Sequence, residues 1–239
     1  MNPHEVVRNL FVGRKAEIAR IRETLREEGN ILLEGRFGMG RTSLLRHMER
    51  QVSPGLSWVF LDGADTPAVW GRNLVERLCP RGLNSSGGDR ISAREDRHHL
   101  EHVAAQGKRP AVIVLDHLGK LTHPKAAFCR WLAGLRRFRI IAVPDASVPR
   151  QSLEGLRMAL YPCLRLQVGH LSPAATRRFF ETFADRQGLS WTPGHIHGLA
   201  FATRGYPLAM WQALRGVHTG ADSILPIETT DHADRREVP

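Results

Sequence analysis

The 239-residue sequence has little cysteine and no long apolar segment. Its three cysteines are widely spaced and form no CxxC pair, which predicts free thiols in a reducing cytoplasm and argues against a disulfide frame or a zinc site. No apolar run approaches the roughly 20 residues that span a bilayer. Residues 1–8 also lack the apolar core of a secretory signal. We therefore expect a cytoplasmic protein without a membrane partner.

Positive charge is in excess. Lysine and arginine number 34 against 24 aspartates and glutamates, which gives a formal net charge of +10. A basic excess favours binding to the phosphates of a nucleic acid or to an acidic partner. A genome that favours arginine codons explains it equally well, because the arginines are spread over many segments instead of forming one block.

Strand-like and helix-like segments alternate over the first 170 residues. The segment Ala111–Leu115 (AVIVL) is apolar without alternation, as is typical of a parallel strand covered on both faces. Repeated alternation of this kind predicts an α/β fold with a parallel sheet covered by helices. The predicted strands are 31–33, 57–61, 111–115, 138–143 and 164–168, and the predicted helices are 15–28, 42–51, 67–79, 92–106, 124–137 and 148–161.

After Leu171 the pattern changes to helices at 173–187, 193–203 and 207–217 with no strand between them. We predict an α/β domain over residues 1–170 and a small helical subdomain over 171–218. Residues 80–91 are rich in glycine and serine and predict a polar loop. Residues 219–239 are polar and aperiodic and predict a flexible tail.

A glycine-rich segment lies between the first predicted strand and the helix that follows it. In this context glycines let successive backbone N–H groups surround an anion at a helix N-terminus, so the segment predicts a phosphate-binding loop. Thr42, in the first turn of the helix, is placed to coordinate magnesium. Arg41 stands where the motif has lysine, and its longer, forked guanidinium fits the β- and γ-phosphates differently. The predicted phosphate-binding residues are Gly35, Arg36, Phe37, Gly38, Met39, Gly40, Arg41, Thr42 and Ser43.

Asp116 closes the apolar strand about seventy residues later, where the magnesium-directing aspartate of a P-loop fold belongs. Together with the loop it predicts binding of ATP and Mg²⁺, with Thr42 and Asp116 as the metal residues. The next residue is His117, at a position where P-loop proteins that hydrolyse nucleotide carry an acidic residue. An imidazole can act as a general base, so His117 is a catalytic candidate beside Asp116. The alternative, which we favour, is a slow site in which His117 has no catalytic role.

Three segments together resemble a known family. Asn9–Arg14 (NLFVGR), followed by Glu17, resembles the box that opens STAND ATPases and origin-recognition-type AAA+ ATPases. The glycine loop and Asp116 resemble their Walker A and Walker B motifs. Arg204–Ala209 (RGYPLA) resembles the GxP motif of the STAND helical subdomain. The resemblance covers about residues 9–217.

The resemblance implies a P-loop ATPase of the ASCE class with a C-terminal helical lid. In those families the first box lies against the adenine, which here implies Val12, Gly13 and Arg14, and the proline of the last motif, here Pro207, touches the base. ATP and ADP would then favour different lid positions, as in a regulatory switch. Further roles by position are Asp145 or Ser147 as a γ-phosphate sensor and Arg150 as an arginine finger, although a solvated arginine is the commoner explanation for Arg150.

Three functions follow from these expectations. The first is a regulatory ATP-binding switch with slow or no hydrolysis. It would control assembly on DNA, bound through phosphates without sequence preference, or on a partner protein; the sequence ends before a sensor array or a winged helix, so we expect self-assembly or a separate effector. The second is an active ATPase doing cyclic work, and the third is a scaffold that binds no nucleotide. The pairs His98/His102 and His195/His197 have zinc-like spacing without a third ligand, so we interpret them as solvated helix faces.

Overall fold

The computed structural model describes residues 10–51, 56–79, 93–106 and 110–218. The predicted polar loop 80–91 and the predicted tail 219–239 lie outside these residues. Over the described ranges the helices and strands follow in the order α1 Lys15–Arg26, β1 Asn30–Glu34, α2 Arg41–Gln51, β2 Ser57–Asp62, α3 Pro67–Leu78, α4 Ala93–Gln106, β3 Ala111–Leu118, α5 His123–Gly134, β4 Phe138–Pro144, α6 Arg150–Ala159, β5 Cys163–Gln167, α7 Pro173–Gln187, α8 Pro193–Thr203 and α9 Pro207–His218.

The five strands form one parallel sheet in the order β2-β3-β4-β1-β5. Strand β1 therefore lies between β4 and β5, and the loop that follows it opens at the carboxyl edge of the sheet. Every residue of β4 is buried, and His117 is the only exposed residue of β3. This pattern explains the apolar runs in the sequence, and the predicted parallel α/β fold is confirmed.

Backbone contacts divide the chain into two units, one of which spans residues 11–170. The main core of this unit lies on one face of the sheet, where helices α3 to α6 contribute large apolar side chains. These include Trp70, Leu74, Leu100, Phe128, Leu132 and Leu156. Helix α3 begins as its sequence predicts, because the Thr66 side chain accepts the Val69 N–H and Pro67 opens the helix.

The other unit contains helices α7 to α9. Ser172 and Thr192 cap α7 and α8, each followed by a proline in the first turn. Phe180 and Phe183 are fully buried in this unit. No helix in the described part of the chain is long and apolar enough to cross a membrane.

The observed ends of several elements differ from the predicted ones by a few residues, for local reasons. Helix α1 ends at Arg26 instead of residue 28, because Glu28 adopts a left-handed backbone with φ 64°. Helix α5 ends at Gly134 instead of residue 137, because Arg136 has φ 52°. Strand β3 continues to Leu118, beyond the apolar run that predicted it.

Candidate nucleotide site

The glycine loop connects the central strand β1 to helix α2. Gly38 and Gly40 have φ of 76° and 78°, a left-handed conformation that glycine adopts without strain. A Cβ at Gly35 would lie 2.7 Å from the carbonyl oxygen of Val168, so a larger residue does not fit there. The first turn of α2 presents backbone N–H groups that have no acceptor within the helix. The loop therefore forms a cradle whose backbone geometry suits an anion, while phosphate binding by its residues stays a prediction.

Thr42 and Asp116 meet at this cradle, although 74 residues separate them in the sequence. The Thr42 hydroxyl donates a 2.8 Å hydrogen bond to Asp116 Oδ2, and the His117 N–H donates to Oδ1 of the same carboxylate at 3.0 Å. Asp116 is only 7% exposed. A hydroxyl and a carboxylate oxygen this close, next to a phosphate cradle, fit Mg²⁺, which takes few protein oxygens and completes its shell with water and phosphate.

Arg41 reaches across the carboxyl edge of the sheet. Its Nη1 donates to the carbonyl oxygen of Pro144, the last residue of β4. This contact uses only one of the nitrogens of the guanidinium. A lysine has a single nitrogen in its side chain. The arginine at this position therefore ties the start of α2 to the end of β4.

Arg14 is the most tightly held residue of the predicted adenine box. Its side chain is buried and pairs with Glu17 at 3.0 Å. Its Nη2 also donates to the carbonyl oxygens of Met39 at 3.0 Å and Gly169 at 2.6 Å. These bonds fix the apex of the phosphate loop against the chain that leaves β5. The guanidinium acts on the loop backbone, while contact of Val12, Gly13 and Arg14 with a base stays a prediction.

The same box also contacts helix α2 through an aromatic pair. The ring of Phe11 stacks on the imidazole of His47 with centroids 3.9 Å apart and planes 9° from parallel. Burial lowers the pKa of His47. Burial at this position therefore favours the neutral imidazole of His47.

His117 lies at the edge of the site rather than inside it. Its side chain is 66% exposed, and Nδ1 is 4.0 Å from Asp116 Oδ2. Its backbone is left-handed with φ 55°, within a register irregularity between β3 and β4. The backbone N–H of His117 thus orients Asp116, whereas its imidazole faces solvent.

The remaining predicted residues are placed as follows. The Asp145 N–H donates to the Leu118 carbonyl at 3.1 Å, which ties the end of β4 to that of β3. Ser147 and Arg150 are exposed. In the helical unit, Pro207 opens α9 two residues after Gly205, where a Cβ would lie 2.3 Å from the Leu171 carbonyl oxygen. The roles proposed for these residues stay predictions.

Sequence reasoning overlooked the turn after β2. Lys125 is 7% exposed, and its ammonium donates to the carbonyl oxygens of Gly63 at 2.6 Å and Ala64 at 3.2 Å. Gly63 in turn donates its N–H to the Asp116 carbonyl at 2.5 Å. The sequence signal was a lysine directly before the apolar segment Ala126–Cys129 of α5.

Comparison with known proteins agrees with this geometry. The sequence matches the AAA ATPase domain over residues 10–186. No curated protein matches the sequence. Among solved structures, the Aeropyrum pernix ORC1 protein in complex with DNA has a TM-score of 0.63 at 17% identity, covering 87% of this chain and 60% of that one.

Two further solved structures are similar. A Walker-type ATPase of Pyrococcus abyssi has a TM-score of 0.64 at 15% identity, covering 88% of this chain and 69% of that one. A STAND protein from Pyrococcus horikoshii with a tetratricopeptide repeat sensor has a TM-score of 0.53 at 19% identity, covering 83% of this chain and 28% of that one. At these identities the similarity concerns the fold. The sequence match itself covers well over half of the chain, which belongs to the AAA ATPase domain family and is an AAA+ nucleotide-binding protein.

Proposed function

We propose that this protein is a regulatory switch that binds Mg·ATP and hydrolyses it slowly or not at all. The observation that carries the proposal is the 2.8 Å contact between Thr42 and Asp116 at the glycine cradle. A hydroxyl at a helix start and a carboxylate at a strand end, brought together beside free N–H groups, form a site for a metal-bound phosphate.

Each part of the site has a distinct task in this proposal. The backbone of Gly35–Ser43 and the Arg41 guanidinium hold the phosphates. Thr42 and Asp116 hold the magnesium ion, which when bound neutralises charge on the phosphate oxygens. Val12 and Gly13 lie against the adenine, and Arg14 keeps the loop in place through the Met39 carbonyl. Pro207 is the residue that the family resemblance assigns to the base.

Slow turnover follows from His117 and Arg41. The imidazole of His117 is exposed and provides no carboxylate for the attacking water. We expect turnover well below the roughly 10 per second of a median enzyme. His117→Glu should raise the rate, because it places an acid beside Asp116. A wild-type rate of many turnovers per second would instead favour an ATPase doing cyclic work.

The output of the switch is assembly on DNA or on a partner protein. The net charge of +10 and the structural similarity to an ORC1 protein solved with DNA support the DNA form of this proposal. Phosphate contacts predict affinity that falls with salt, with a log–log slope of roughly −0.9 per contact. Fluorescence anisotropy on random duplex DNA, with and without Mg·ATP, tests this form. Undetectable binding at low salt in both states would leave the partner protein as the target.

Titration calorimetry with Mg·ATP and with Mg·ADP separates the proposal from a nucleotide-free scaffold. We expect saturable binding of both nucleotides to the wild type. Asp116→Asn should weaken the binding of Mg·ATP and leave binding of metal-free ADP nearly unchanged, because it removes the negative charge that attracts the ion. Absence of heat with either nucleotide at millimolar concentration would favour the scaffold.

A further inference from the structure

We propose that Asp62, the last residue of β2, is the carboxylate that orients the attacking water and accepts its proton in this site. The inference rests on the proposed function, since it concerns the hydrolysis of the nucleotide bound there. It explains how a site without an acid at position 117 retains a slow turnover.

The strand register places Asp62 beside Asp116. The two residues are partners across the parallel pair β2–β3, whose strands lie about 4.8 Å apart. Partners in a parallel pair project to the same face of the sheet, and side chains along a strand alternate between faces. Leu61 and Leu115 project into the core of the opposite face. Asp62 and Asp116 therefore share the face on which Thr42 contacts Asp116.

The packing of helix α2 confirms which face this is. Two residues before Asp62, Phe60 lies under the guanidinium of Arg46, 3.5 Å from the ring centroid. Arg46 follows Thr42 by one turn of the same helix. Phe60 thus contacts the helix that begins at the phosphate loop, and Asp62 continues the same row toward the carboxyl edge.

The backbone of the turn after Asp62 packs directly against β3, the strand that carries Asp116. A Cβ at Gly63 would lie 2.6 Å from the Asp116 carbonyl oxygen and 2.6 Å from the Leu118 Cα, so only glycine permits this approach. The Gly63 N–H donates to the Asp116 carbonyl at 2.5 Å. The position of Asp62 relative to Asp116 is therefore fixed by the backbone.

Two buried side chains hold the same turn from the core side. Lys125 donates to the Gly63 and Ala64 carbonyls, and Trp70 Nε1 donates to the Asp62 carbonyl at 2.7 Å. Burying an ammonium group is costly unless it is well bonded. Such a lysine directed at two turn carbonyls indicates that the position of this turn matters to the protein.

The Asp62 carboxylate is exposed, and its Oδ1 accepts the Ala64 N–H at 2.9 Å. That hydrogen bond limits rotation of the Asp62 carboxylate, which stays exposed to solvent. His117 differs in this respect, because its imidazole projects away from the fixed backbone into solvent. Of the two, Asp62 combines a carboxylate with a constrained position on the face of Thr42.

The step balances as an in-line hydrolysis. The water oxygen forms a bond to the γ-phosphorus while its proton passes to the Asp62 carboxylate. The bond between the γ-phosphorus and the bridging oxygen breaks, and its electron pair remains on ADP. Asp62 then returns the proton to solvent, and phosphate and ADP leave.

The test is Asp62→Asn, which keeps the size of the side chain and its bond to the Ala64 N–H but removes the base. We expect single-turnover hydrolysis to fall by about 100-fold or more, the usual contribution of a general base. The dissociation constant for Mg·ATP, measured by calorimetry, should stay within about threefold of wild type, because the residue contacts water and not the phosphates. Asp65→Asn in the same turn is the matched control and should change neither value.

A second readout does not depend on turnover. Mg·ADP with fluoroaluminate imitates the transferring phosphoryl group, and in the wild type it should raise the unfolding temperature more than Mg·ADP alone. We expect Asp62→Asn to lose most of this extra rise, Asp65→Asn to keep it, and Asp62→Glu to restore part of it.

The outcomes separate this inference from the function on which it rests. If Asp62→Asn binds and hydrolyses Mg·ATP as the wild type does, Asp62 is not the base and the switch proposal stands. A wild type that binds Mg·ATP but shows no hydrolysis also overturns the inference alone. A wild type that binds no nucleotide overturns both.

Discussion

Polar side chains are buried at both ends of the parallel strands, the amino edge and the carboxyl edge of the sheet. Their hydrogen-bond partners differ between the two edges. At the amino edge, Asn30 donates to the Leu160 carbonyl and accepts the Ile140 N–H, both at 2.8 Å. Arg139 pairs with Glu28 at 2.8 Å and donates to the Arg136 carbonyl at 2.5 Å. The Asn30 amide is thus satisfied by two backbone groups, as most buried polar groups in a stable fold are. Both terminal nitrogens of Arg139 have partners, whereas its buried Nε has none.

At the carboxyl edge, polar side chains from different elements lie together next to the glycine loop. Thr42 and Asp116 bond to each other beside a loop in which Gly38 and Gly40 have left-handed backbones. This arrangement is suited to an anion with a metal ion. Polar side chains thus bond to the backbone of the fold at the amino edge, whereas at the carboxyl edge they lie beside the loop that we propose binds the nucleotide. Substitutions at the two edges should therefore have different consequences.

The largest effect is expected at the amino edge. Asn30→Ala leaves the Ile140 N–H and the Leu160 carbonyl buried without partners, and each such group costs about 1–3 kcal/mol. We expect the free energy of unfolding in urea to fall by about 3 kcal/mol, with the affinity of the folded protein for Mg·ATP unchanged. Asn73→Ala, at a half-buried position of α3, is the control and should cost far less. Loss of nucleotide affinity in Asn30→Ala would remove the distinction between the edges.

The next effect concerns the carboxyl edge. Thr42→Ala removes a single hydrogen bond and should lower the free energy of unfolding by about 1 kcal/mol. Its affinity for Mg·ATP should fall by about 10-fold or more, the range seen when a group around a bound metal is removed. Thr182→Ala is matched, because Thr182 also donates one hydrogen bond, to the Arg178 carbonyl in α7 at 2.7 Å. Calorimetry on both variants should show weaker binding in Thr42→Ala only.

The smallest effect is a pH dependence beside the site. Burial lowers the pKa of His47, so the unfolded chain takes up a proton that the folded protein resists. Stability from this group is present above the ordinary histidine pKa of about 6.5 and declines as the pH falls below it. His47→Phe should keep the stack on Phe11 and reduce the loss of unfolding temperature between about pH 7.5 and about pH 5.5. An unchanged pH slope in this variant would show that other groups cause it.

The sequence predicted those features that local patterns determine. The glycines, Thr42 and the apolar strand ending at Asp116 each have a local signature, and the parallel sheet follows from the alternation of strands and helices. The contacts that position the site join residues far apart in the chain. Arg14 and Gly169 are 155 residues apart, and Lys125 and Gly63 are 62 apart. Side-chain geometry of this kind has no local pattern, so only the structure reveals it.

The measurement that tests the open carboxyl edge most directly is thermal unfolding with ATP and Mg²⁺ together, with ATP and a chelator, and with Mg²⁺ alone. We expect clear stabilisation with ATP and Mg²⁺, by about 2.7 kcal/mol when the ligand is at about 100 times its dissociation constant. We expect a smaller shift without the metal and a negligible one with Mg²⁺ alone, because Thr42 and Asp116 supply only part of the coordination shell of the ion. An unfolding temperature unchanged at millimolar Mg·ATP would contradict the assignment of this edge as a nucleotide site.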